Sequence, residues 1–107
     1  MKIYLGSEIK LNLSIDKIGS LSMSDYDFEV AVFCNPSKAL TIRKGDVGLI
    51  KKQDDSNYVL MIDTTRLGIG KLKLQVTAQI PDTDFDDYLR KEIQVVDTGI
   101  EIIRRVI

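Results

Sequence analysis

The sequence predicts an all-β domain, built as a two-layer antiparallel β-sandwich. Three observations carry that prediction. First, apolar and polar residues alternate strictly in three segments: Ile9, Leu11, Leu13, Ile15; Phe28, Val30, Val32, Cys34; and Leu72, Leu74, Val76, Ala78, Ile80. Successive strand side chains point to opposite faces, so each segment has one oily face and one wet face. Second, turn-forming residues recur between the candidate strands at roughly 8–15 residues, the spacing of sandwiches and barrels. Third, no apolar pattern with a 3.6-residue period lasts long enough for a helix.

Strands are expected near 2–5, 8–15, 27–34, 39–44, 47–52, 57–62, 71–80 and 88–96, with a last one near 100–106. The stretch 16–25 breaks the pattern with Gly19 and three serines. Asn35-Pro36-Ser37 must turn, because proline fixes φ and restricts the residue before it. Lys44-Gly45-Asp46 and Gln53-Asp54-Asp55-Ser56-Asn57 are expected as polar hairpin tips. In Asp63-Thr64-Thr65-Arg66-Leu67-Gly68, Asp63 or Thr64 can cap one helical turn and Gly68 can end it in a left-handed conformation. A turn of this kind near 63–67 would carry the chain from one sheet to the other. Asp97-Thr98-Gly99 interrupts the end of the chain. Beyond it, 97–107 is either a final strand, the preferred reading, or an adhesive tail that completes a neighbouring subunit. The expected core is Leu11, Leu13, Phe28, Val30, Val32, Ile42, Leu60, Ile62, Leu72, Leu74, Val76, Ile80 and Ile93.

Composition narrows function more than it identifies it. The 107 residues fit one domain, 1–107, with net charge −1 and no basic stretch. Phosphate backbones demand concentrated Lys and Arg, so nucleic acid is not an expected partner. No run approaches the ~20 apolar residues of a membrane span, and the N-terminus lacks the pattern of a signal peptide. The chain contains no histidine, which removes the commonest general base and the commonest transition-metal ligand. Cys34, the single cysteine, continues an apolar stripe and reads as a buried core thiol.

Four features could carry chemistry or contacts. Asp82, Asp84, Asp86 and Asp87 place carboxylates at near-alternate positions, an oxygen-rich set suited to calcium. The EF-hand pattern fails there, because Asp87 and Ile93 stand where glycine and glutamate are required, so a solvated loop pinned by Phe85 is the favoured reading. Arg43, Lys44, Lys51 and Lys52 are expected as a basic ridge on one hairpin, a counterpart to the acidic loop in head-to-tail association. Their simpler role is to guard strand edges. Ile103 and Ile107 add an apolar element to the tail. No glycine-rich phosphate loop and no activated serine appear, so no cofactor and no catalytic residue is expected.

From Met23 onward a series of segments occurs in order: Asp25-Tyr26-Asp27-Phe28-Glu29-Val30, Tyr58-Val59-Leu60-Met61-Ile62-Asp63-Thr64-Thr65, Leu67-Gly68 with Gly70-Lys71-Leu72, Ile80-Pro81-Asp82 with Asp84-Phe85-Asp86, and Asp97-Thr98-Gly99-Ile100-Glu101-Ile102. In these the chain resembles immunoglobulin-like β-sandwich domains of tailed-phage and prophage structural proteins, among them N-terminal domains of upper-baseplate and tail-fibre-type proteins. The resemblance implies an immunoglobulin-like sandwich of about seven to nine strands. It also implies a non-enzymatic virion adaptor, assembled in the bacterial cytoplasm, that acts on a protein partner or on itself. A surface module for a glycan or calcium is the main rival. A carboxylate-dependent hydrolase is a third, and it needs a cleft with two poised acids.

Overall fold

The computed structural model describes residues 1–107. Eight strands are present: β1 (Lys2–Tyr4), β2 (Glu8–Ser14), β3 (Asp27–Phe33), β4 (Leu40–Arg43), β5 (Ile50–Asp54), β6 (Asn57–Asp63), β7 (Gly70–Pro81) and β8 (Leu89–Ile103). One sheet has the order β1-β8-β7-β3-β4 and the other β2-β6-β5. Every pairing is antiparallel except β1 with β8, which is parallel. The helical content is three single 3₁₀ turns, Met23–Asp25, Pro36–Lys38 and Thr64–Arg66, and no helix is long and apolar enough to cross a membrane.

The alternating stripes become the facing surfaces of the two sheets. Phe28, Val30 and Val32 of β3 and all five apolar residues of the β7 stripe are buried. They meet Tyr58, Leu60 and Ile62 of β6, with Leu13 of β2 and Ile50 of β5. Each fully buried Leu, Ile or Val contributes about 1.5–3 kcal/mol relative to exposure, so this core is the main source of stability. Phe28 stands edge-on to Tyr58 at 5.2 Å between ring centres, which links the sheets at one end. Leu11 is half-buried at the margin, because β2 is an edge strand with one neighbour.

The turn at Thr64–Arg66 forms as expected. Asp63 caps it by accepting from the Thr65 N–H, and it transfers the chain from β6 in one sheet to β7 in the other. Gly70 then starts β7 at φ +133°, where a Cβ would stand 3.3 Å from the Cβ of Cys34. Only glycine fits both that conformation and that approach. Cys34 itself is half-buried, just past the end of β3, rather than sealed in the core.

Three expectations are corrected. Segments 39–44 and 47–52 do not form a hairpin: β4 belongs to the five-stranded sheet and β5 to the three-stranded one. Lys44-Gly45-Asp46 therefore opens a crossing between layers, held by the Asp46 carboxylate on the Arg43 N–H at 2.8 Å. The chain does not break at 97–99 either. β8 runs through to Ile103 with a bulge, in which β7 advances from Lys71 to Lys73 while β8 advances from Asp97 to Glu101. The extra residues are absorbed by the Thr98 hydroxyl, which donates to the Leu72 carbonyl, and by Gly99 at φ +73°. Finally, Ile93 lies outside the core, at 58% exposed. Its phase is set by β7: Val76 must face the core, and the register places Gln94 beside it, which turns Ile93 outward.

Candidate functional site

The pairing pattern leaves one long edge open. β8 is bonded to β7 along one side, but on its other side β1 covers only Glu101, Ile102 and Ile103. From Leu89 to Thr98 no strand pairs with that side. Backbone groups along such an edge form a ready template for another chain. The side chains there are unusually apolar for an edge, with Ile93 58% and Val95 60% exposed on the outer face. Val96 and Leu89 are exposed as well.

Beneath this edge lies a groove of about 580 Å³ between β8 and the end of β2 at Ser14 with the segment 15–18 that follows it. Val76, Ala78 and Tyr26 lie along it with Ile15 and Ile18, and Glu92, Gln94 and Val96 line it from β8. The Tyr26 hydroxyl is buried with no hydrogen-bond partner. Burial raises its pKa, and the nearby Glu92 charge raises it further. Glu92 is in turn bonded by Arg90, whose Nε also donates to Asp82 at 3.1 Å. The groove thus has one unpartnered phenol and a carboxylate already neutralised by a guanidinium. It holds no nucleophile–base pair.

The acidic loop joins β7 to β8. Asp82 is occupied: its carboxylate accepts from Arg90 and from the Asp84 N–H. Asp84, Asp86 and Asp87 are exposed, and no group of three or more carboxylates converges at metal-binding range. Phe85, expected as a pin, is 47% exposed and does not hold the loop against the core. The loop turns instead through Tyr88, at φ +60°, with its N–H bonded to the Phe85 carbonyl.

The basic residues do not form a single ridge. Arg43 ends β4 and faces Glu29 at 3.9 Å. Lys44 turns inward, donating to the Ser24 carbonyl at 3.0 Å and the Tyr26 carbonyl at 2.7 Å, with its ammonium 5.8 Å from the Phe28 ring centre. It is a structural staple. Lys51 and Lys52 sit on β5 of the other sheet, where Lys52 bonds Asp55 at 3.0 Å, which raises the lysine pKa and lowers that of the aspartate. In the tail, Ile103 is half-buried and pairs with Tyr4, whereas Ile107 is fully exposed.

No protein-family model, no curated protein and no solved structure matches the chain. The open edge is not visible as a site in the sequence, because Glu92 and Gln94 break the apolar phase that would mark an inward face. The signal that could find it is the length of β8 against the three residues of β1.

Proposed function

We propose that this chain is a non-enzymatic assembly module, of the immunoglobulin-like kind found in tailed-phage and prophage structural proteins, that works by pairing its sheet edge with protein. The observation that carries the reading is the unpaired stretch of β8 with Ile93 and Val95 exposed beside a groove. Exposed apolar edges are normally avoided, so one retained beside a groove marks a contact surface. The strand order supports the immunoglobulin-like part. β2-β6-β5 opposite β1-β8-β7-β3-β4 corresponds to strands B-E-D opposite A′-G-F-C-C′ of that fold. The virion setting rests on the sequence resemblance.

Size exclusion with light scattering, at rising concentration and with the products of adjacent genes added, tests the function. Association that depends on Ile93 and Val95 is the expected result. A strict monomer that binds none of those products would remove the reading.

A further inference from the structure

We infer that the partner of the β8 edge is a second copy of this chain, with residues 90–98 of two copies pairing as antiparallel strands about a two-fold axis at Gln94. This rests on the assembly reading above and names its partner. The five-stranded sheets of the two copies would then join into one.

The argument is one of register. Residues directly opposed in an antiparallel pair share a face, so a two-fold pairing sets odd positions of β8 against odd and even against even. The outer face of the open edge carries Lys91, Ile93, Val95 and Asp97. With the axis at Gln94, Lys91 of each copy faces Asp97 of the other, and Ile93 of each faces Val95 of the other. Both are favourable cross-strand pairs, and each is made twice. An axis at Ile93 sets Lys91 against Val95 and Leu89 against Asp97. An axis at Val95 sets Ile93 against Asp97. The Gln94 register therefore satisfies both charges and makes the apolar pair twice; its two neighbours each keep one apolar pair, Ile93 or Val95 against its own copy, and leave the charges against apolar residues.

Charges on an edge ordinarily repel a second strand. Here the two outer charges are of opposite sign and lie three residues to either side of Gln94. That makes the strip self-complementary, the requirement of an isologous contact. On the inner face, the same register brings Gln94 of the second copy beside Gln94, at the groove where the Tyr26 hydroxyl lacks a partner. Glu92 keeps Arg90 and meets Val96 of the other copy.

Sedimentation equilibrium of the full chain across concentration tests this, using wild type, Lys91→Asp, Asp97→Lys and the equimolar mixture of the two variants. Wild type is expected to dimerise, and each variant alone to do so about tenfold more weakly. The mixture is expected to recover, because the carboxylate introduced at position 91 of one chain then faces the ammonium introduced at position 97 of the other. The second outer pair of that mixed dimer is the native one, Asp97 against Lys91. Asp97→Lys also gives up the bond that the Asp97 carboxylate accepts from the Gly99 N–H and sets a lysine beside Lys73. Ile93→Lys, distant from both, is the second disruptive variant, and melting curves verify that each one folds. A wild type that stays monomeric, a dimer indifferent to Lys91→Asp and Ile93→Lys, or a mixture that fails to recover would overturn the self-pairing. Retained binding of an adjacent gene product in those cases leaves the assembly reading standing; loss of that binding as well removes both.

Discussion

Thr64 ties the turn between β1 and β2 to the turn after β6 through one hydroxyl. Its Oγ1 accepts from the Gly6 N–H at 2.9 Å and donates to the Ser7 carbonyl at 2.7 Å, while its own N–H also reaches Ser7. Thr64→Val keeps the shape and leaves the part-buried Gly6 N–H unpaired, while the Ser7 carbonyl keeps only the backbone N–H of residue 64. The expected loss is about 1–3 kcal/mol, read as a lower denaturation midpoint at unchanged slope, with Thr64→Ser close to wild type. Val30 is the apolar counterpart: fully buried on β3, between β4 and β7. Val30→Asp should abolish the folded state, since an unpaired buried charge costs several kcal/mol against a total stability of about 5–15 kcal/mol. A soluble variant with a native melting curve would contradict the position of β3 in the core. Val30 is legible in the sequence because a central strand turns alternation directly into burial. Ile93 misleads for the complementary reason: an edge strand facing an open groove need not bury its apolar phase. The role of Thr64 is hidden, because its partners lie 57 and 58 residues away.

At the scale of elements, the corner between 22–25 and 54–57 is held by carboxylate hydrogen bonds around the buried Met23. The Asp25 carboxylate accepts from the Ser22 N–H and hydroxyl. Asp54 accepts from the Asn57 amide and the Ser56 N–H, and Asp55 from Lys52 and the Ser24 hydroxyl. These bonds favour the charged forms and lower all three pKa values; Thr65 does the same for Asp63. Groups lowered on folding add stability that is fully present above the unfolded carboxylate value of about 3.9 and is lost as pH falls through the lower folded values. Thermal melts should therefore be level from neutral pH to about pH 5 and fall below about pH 4. Asp25→Asn together with Asp55→Asn should flatten that fall. β7 is legible as a strand almost to the residue. β8 is not, because the bulge at Asp97–Gly99 looks like a terminator, whereas here the turn residues only absorb extra length within one strand.

At the scale of the molecule, the shape follows from one hairpin. The principal extents are 54, 27 and 22 Å, and the radius of gyration is 14.9 Å. A compact chain of this length has a radius nearer about 13 Å. A 15-residue strand spans about 50 Å, so β8 alone sets the long axis. The fold class is legible in composition and alternation, whereas the elongation is not, since it depends on how far two paired strands outrun their neighbours. The short parallel ladder at the far end of that axis has a practical result. The Met1 ammonium donates to the Gly99 carbonyl, and the Met1 carbonyl accepts from the Glu101 N–H, so the ladder runs to the first residue in a fixed register. Residues fused ahead of Met1 would continue along β8, and about eight in extended conformation would reach Glu92. Being tethered, they would outcompete any free strand through their effective concentration. A β-prone affinity tag at the N-terminus is thus expected to give a monomer in light scattering, and the same tag at the C-terminus to leave association intact. Equal behaviour of the two fusions would mean that association takes place elsewhere on the surface. The end chosen for a purification handle acts as an intramolecular inhibitor or as a bystander, according to which terminus carries it.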